Sequence, residues 1–279
     1  MKQVKILMLA LVVLMGVGFT SCMNGENDTT VREDAFVKVV SYMGSTWFED
    51  TNGFRYYPTD ASLAAMKTQM GFEPVNGGMA YVIYQYDSAT QTKTATSTSL
   101  KDLQLLYATK LDATVESVQH KPEEGEEPLS NDSIAKAPIR GLEGTISTSY
   151  GNITYKPIMF DESTLLLQID YFMGPEGLLS HYFTLVHYRD ESVEENTIKL
   201  YLRHNNGKDT STSYTSVNYS GQYPFLFYKA FNLGKLDVSI NENTKIIIEA
   251  QENNTNIDLE SEQTKTKTYT VQILSLIHI

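Results

Sequence analysis

Thr197-Ile-Lys-Leu-Tyr-Leu-Arg-His-Asn-Asn-Gly-Lys-Asp209 sets Ile198, Leu200 and Leu202 against Lys199, Tyr201 and Arg203, then ends in a turn signal. A period of two marks a strand with one buried and one wet face, and Asn-Asn-Gly marks its end. The same pattern recurs on both sides. Strands are expected at 152–160, 164–172, 181–188, 225–228, 236–240, 245–250 and 266–273, with Gly174-Pro175-Glu176-Gly177 and Asn241-Glu242-Asn243 as turns. Seven or eight strands over ~125 residues, with almost no helical spacing, predict an antiparallel β-sandwich at residues 145–273.

The N-terminal half has the same period in shorter pieces. Strands are expected at 36–42, 46–49 and 54–57, with Asn52-Gly53 as a hairpin signal. Residues 60–70 change to helical spacing, with Leu63, Met66 and Met70 on one side, Thr59 or Asp60 as N-cap and Gly71 as a stop. A strand at 79–86, a turn at 87–91, a return at 93–99 and an apolar stretch at 103–106 follow. Short strands around one small helix fit a barrel of the OB kind at residues 35–117, and the whole chain is expected to be all-β. Trp47, Tyr56, Tyr57, Tyr84 and Tyr86 either face a groove of that barrel or build its core. Between the two β regions, residues 118–144 carry Pro122, Glu123-Glu124-Gly125-Glu126-Glu127-Pro128 and Pro138. A charge run between prolines cannot bury itself, so an acidic linker and the domain boundary are expected there.

The first 21 residues have the layout of a secretory signal peptide. Lys2 and Lys5 precede an apolar run of 14 residues from Ile6 to Phe19. That run is shorter than the ~20 residues of a membrane-spanning helix. Phe19-Thr20-Ser21-Cys22 resembles a bacterial lipobox, which implies cleavage before Cys22 and lipidation of its thiol. Residues 22–34 then read as a polar tether. Met23 stands where an inner-membrane retention signal would place Asp, which implies an outer-membrane lipoprotein, facing the periplasm or the cell surface. Cleavage removes two lysines and no acid, taking the formal charge from −12 to −14. Such acidity repels nucleic acid and anionic headgroups, so the expected membrane link is the lipid alone. Cys22 is the sole cysteine, which excludes an intramolecular disulfide, a cysteine metal cluster and a second thiol nucleophile.

Taken together, the lipobox, the 36–57 hairpin region, the linker and above all Arg203-His204-Asn205 before Gly207 and Asp209 resemble the NigD-like lipoproteins of Bacteroidota. The resemblance implies an N-terminal OB-like domain joined to a C-terminal β-sandwich. It supplies no activity, catalytic residue or ligand. Leu274-Ser-Leu-Ile-His-Ile279 matches the translation of a sequencing-adapter end, and these residues are left out of the functional reading.

Little in the chain announces chemistry. His181 and His187 share a strand face but stand ~20 Å apart, too far to hold one metal ion. No His-Glu-x-x-His, nucleophile elbow or phosphate-cradling glycine loop is present. Asn241, Glu242 and Asn243 do not complete a calcium loop. No metal, cofactor or catalytic residue is therefore expected. A hydrolase acting on glycan or peptide, with carboxylates that converge only in space, is the alternative. Aromatics point to binding. Tyr214, Tyr219 and Tyr223 lie among Ser, Asn and Gly in the long polar stretch 205–224, which His204 and Asp209 introduce. Tyrosine in such company gives rigid contact area with adaptable hydrogen bonds. These five are the candidate binding residues, for a protein or glycan partner. Asp28-Thr29-Thr30, Asp87-Ser88-Ala89 and Asp132-Ser133-Ile134 resemble a short O-glycan acceptor motif of Bacteroidota exports.

Overall fold

The computed structural model describes residues 29–122, 135–148, 151–175, 180–219 and 227–273. The expected signal segment, Cys22 and the last six residues lie outside them. The described chain divides into two units, meeting between Leu111 and Asp112.

The first unit is a closed five-stranded barrel. Its strands are β1 (Thr30–Tyr42), β2 (Ser45–Glu49), β3 (Arg55–Pro58), β4 (Met79–Asp87) and β5 (Ser99–Lys110), in the order β1-β2-β3-β5-β4. β3 and β5 run parallel, the other neighbours run antiparallel, and β4 closes onto β1. This is the OB-like barrel expected from the sequence, and β1 begins within the expected tether. Met43 and Gly44, both at positive φ, make the two-residue turn between β1 and β2. Helix α1 (Asp60–Met70) sits between β3 and β4, where local chemistry sets its ends. The Thr59 hydroxyl accepts from Ser62 N, and Gly71 closes the helix at φ 67°. Val37, Val39, Phe48, Tyr56, Val82, Tyr84, Leu100 and Leu103 fill the barrel. Trp47 and Tyr57, one residue out of phase with Phe48 and Tyr56, pair outside it with ring centroids 6.1 Å apart. The expected return strand at 93–99 is a loop, because β5 starts only at Ser99.

The second unit is built on one eight-stranded sheet. Its strands are β6 (Asp112–Val118), β9 (Ile158–Met159), β10 (Thr164–Gln168), β12 (Tyr182–Tyr188), β13 (Thr197–Asn205), β15 (Tyr228–Asn232), β16 (Lys245–Glu252) and β17 (Lys265–Gln272). Their order is β17-β16-β13-β12-β6-β15-β10-β9. Two short antiparallel pairs accompany it: β7 (Gly144–Thr148) with β8 (Gly151–Tyr155), and β11 (Phe172–Met173) with β14 (Tyr214–Thr215). Tyr269 of β17 and Leu165 of β10 share one core with Leu185, Leu200, Ile246 and Phe231. The edge strands β17 and β9, which seven spacings would separate by ~34 Å in a flat sheet, come into contact, so this sheet curls around its core.

Four features correct the sequence reading. The sheet is mixed rather than antiparallel, since β6 runs parallel to both β12 and β15, and β13 runs parallel to β16. The boundary falls before residue 112, so β6 belongs to the second unit. Residues 135–143 of the expected linker are folded in, with Ala137, Ile139 and Leu142 buried, while 123–134 lie outside the described residues. The expected strand at 236–240 is irregular chain after a 3-10 turn at Leu233–Lys235.

Candidate binding site

At one end of β12 and β13 the chain assembles a buried polar row. The register sets Phe183 opposite His204, which makes His181 the diagonal neighbour of His204 on the same face. His181 Nδ1 lies 2.8 Å from His204 Nε2, and the His204 ring stacks on Phe183 at 4.7 Å between centroids. His204 Nδ1 lies 3.2 Å from Pro138 O. On the other side, His181 Nε2 lies 3.1 Å from Asp209 Oδ2. Tyr171 packs against both imidazoles and Phe183.

The turn after β13 brings Asp209 back. Asn205 Oδ1 accepts from Gly207 N, and Asn206 O accepts from Asp209 N. Gly207 has φ +59°, and a Cβ there would lie 2.8 Å from Ser180 O, so glycine is required twice over. Asp209 then ties three segments together: Oδ2 accepts from Gly174 N at 2.7 Å, and Oδ1 from Ser211 N at 2.9 Å. Below it, Ser216 Oγ accepts from Tyr171 N and donates to Ile169 O, while Arg140 pairs with Asp170 at 2.8 Å.

Burial pushes both imidazoles down, His204 to about 3, and the adjacent His181 adds to that fall; Asp209 partly opposes it at His181. Burial pushes Asp209 up, but the Gly174 and Ser211 amides and His181 more than offset this and hold it below the usual carboxylate range. Neutral His204 therefore donates from Nδ1 to Pro138 O and accepts at Nε2. A neutral His181 donates from one nitrogen only and satisfies either His204 or Asp209. Once protonated, it can serve both.

The expected binding residues separate into support and surface. His204 is 2% exposed and cannot reach a ligand; it holds the strand end. Asp209 is a nearly buried strut. Tyr214, on β14, is 45% exposed, and Tyr182, which the sequence reading did not single out, is 58% exposed beside His181. The Tyr219 side chain and Tyr223 lie outside the described residues. The histidine pair was missed because spacing within one strand compares His181 with His187, whereas the contact runs to the neighbouring strand. The signal was a predicted strand end with His on each side of one hairpin.

A second polar feature lies in the β16–β17 hairpin, where a cleft of about 400 Å³ opens between Glu252, Asn253, Thr255 and Lys265. Burial raises the Glu252 carboxyl to about 7, opposed by Lys267 and helped by Glu143. The Tyr269 hydroxyl donates to it. Among the described residues no group of three His, Cys, Asp or Glu could hold a metal ion, and no helix is long and apolar enough to cross a membrane. The Asn241 carboxamide is spent on its own turn, accepting from Asn243 N. The Ser88 hydroxyl, within one acceptor-like tripeptide, donates to Thr29 O.

A crystal structure of a protein from Bacteroides fragilis assigned to the lipoproteins is similar over 87% of this chain and 98% of that one, at 26% identity and TM-score 0.59. The chain is similar to a Bacteroides lipoprotein. A NigD-like immunity protein of Bacteroides caccae is similar at 12% identity and TM-score 0.47, over 88% of this chain and 94% of that one. A protein of unknown function from Bacteroides vulgatus matches at 11% and 0.47, over 86% and 90%. No family model and no curated protein matches the chain.

Proposed function

We propose that this chain is a lipid-anchored protein of the outer membrane that binds a protein or glycan partner and catalyses no reaction. The observation that carries the reading is the buried His204-His181-Asp209 row, which lies beneath strand ends bearing exposed Tyr182 and Tyr214 while offering no reactive group to solvent. Tyrosines held on strand ends lose little entropy on binding. Cys22 and the similarity to a B. fragilis lipoprotein support the anchor. Three acyl chains hold a protein in a bilayer almost irreversibly, at ~0.8 kcal/mol per buried methylene.

Changing Cys22→Ser should remove fatty-acid labelling and leave unfolding of both units unchanged, since Cys22 precedes the first barrel strand, which begins at Thr30. On this soluble form, glycan arrays and pull-downs from envelope extracts should identify a partner, and joint Tyr182→Ala and Tyr214→Ala should weaken it by roughly tenfold or more. Wild-type protein without fatty acid would sink the anchor, and an unaltered affinity would sink the site. The hydrolase reading now rests on Glu252, whose raised carboxyl in a cleft suits a general acid. Turnover of a glycan or peptide that is lost in Glu252→Gln would establish it in place of the binding reading.

A further inference from the structure

One end of the barrel holds a cation inside a cage. Lys93 Nζ lies 5.2 Å from the Phe54 ring centroid and 5.4 Å from that of Tyr56. It donates to Glu33 Oε2 at 3.2 Å and to the Tyr56 hydroxyl at 3.4 Å. Glu33 is itself positioned by two further rings: the Tyr84 hydroxyl donates to it at 2.7 Å and that of Tyr86 at 3.5 Å. The Tyr56 and Tyr84 rings touch, with centroids 5.3 Å apart. Aromatic faces around a carboxylate are the chemistry of ammonium recognition.

The parts come from different places. Glu33 is on β1, Phe54 follows β2, Tyr56 is on β3, and Tyr84 and Tyr86 are on β4, so the barrel builds the cage alone. The cation comes from the loop joining β4 to β5. The hydrogen bonds of residues 92–97 run within that loop, to Ser88 O, and through Lys93 to the cage. Lys93 can therefore leave without breaking a rung of the sheet. The mouth meets solvent, since about a third of each of the Glu33 and Lys93 side chains is exposed. Burial alone would lower the Lys93 ammonium, but the Tyr56 oxygen and the Glu33 carboxylate raise it above its ordinary value, so the cage prefers its occupant charged.

We propose that this end of the barrel is a binding site for a primary ammonium on an apolar stem, the side chain of a lysine on a partner protein, and that Lys93 fills it as an intramolecular stand-in. The site does not use the exposed Tyr182 and Tyr214 of the second unit and stands or falls without them. A self-plugged site binds at an affinity reduced by the fraction of time the plug is out, so removing the plug must strengthen binding.

The test titrates n-butylammonium chloride into the full chain, read by NMR shifts of the cage tyrosines and by thermal unfolding, with sodium chloride as the ionic-strength control. Lys93→Ala should bind at least roughly tenfold more tightly than wild type and recover unfolding temperature as the amine is added. Lys93→Met, which refills the cage with an uncharged stem, should fold and bind no better than wild type. Wild type should still bind, weakly. Three results would each overturn the proposal: no gain in Lys93→Ala, equal rescue by n-butanol, which would mark an apolar cavity rather than a cation site, or binding confined to Lys93→Ala at every concentration, which would make Lys93 a permanent strut.

Discussion

His204 is neutral in the fold because its ring has no water to solvate a charge and a second imidazole beside it. An unfolded histidine titrates near 6.5, so the folded pKa of about 3 lies below the unfolded one. Such a depressed base leaves stability intact above pH ~6.5, and stability is lost as pH falls toward 3, because the unfolded chain takes up the proton that the fold refuses. The slope is ~1.4 kcal/mol per pH unit for one group. His181 shifts in the same direction, whereas Glu252, raised to about 7, acts oppositely: its cost grows as pH rises from its unfolded value through 7. Chemical denaturation across pH 4 to 6 should show His204→Phe, which keeps the stack on Phe183, losing about one group's slope. An unchanged slope would place the proton elsewhere. The same substitution should cost ~1–3 kcal/mol at neutral pH, since Pro138 O and His181 Nδ1 lose a partner.

Helix α1 shows how an element is held by one polar atom as well as by its apolar side. Met66 is buried in the barrel core, and Ser62 is nearly so. The Ser62 hydroxyl accepts from Leu105 N at 2.6 Å, where β4 and β5 slip register after Ile83 and leave that amide outside the regular ladder. Ser62→Ala should strand a buried N–H and cost ~1–3 kcal/mol by denaturant melts, far more than its effect on helix propensity. Faster exchange of the Leu105 amide would be the local sign; undiminished protection would refute it. Elements of this kind were readable from sequence where their chemistry is local. Thr59, Gly71 and Asn52-Gly53 act within a few residues of themselves, and strand alternation at 197–203 needs no partner to be seen. The stretch at 93–99 was misread because its polar alternation serves a loop whose lysine reaches a cage built by distant strands. Residues 236–240 look apolar and alternating, yet the Asn232 side chain caps a 3-10 turn just before them and the chain packs Leu236 without a ladder.

At the scale of the molecule, the telling segment is β6. Its sequence, Asp112-Ala-Thr-Val-Glu-Ser-Val118, alternates weakly and falls almost wholly within residues 35–117, the range expected for the barrel. The pairing decides otherwise. β6 lies between β12 and β15 near the middle of the eight-stranded sheet, parallel to both, with Ala113 and Val115 packed against the core. Parallel neighbours need a long crossover, and no short-range signal records such a pairing. A cut therefore discriminates between the two boundaries. Residues 112–273 should fold alone, with sharp thermal unfolding and dispersed amide resonances, and residues 29–111 should do the same, because each keeps its own core. Residues 119–273, which honour the boundary expected from composition, lose the strand that joins the two halves of the sheet and expose its ladder groups on β12 and β15. Losing that whole set of rungs and the apolar cover that Ala113 and Val115 give the core removes much of a domain's ~5–15 kcal/mol of stability. That fragment should be unfolded or aggregated. Cooperative folding of 119–273 would show instead that β6 is an edge addition to a sheet that closes without it.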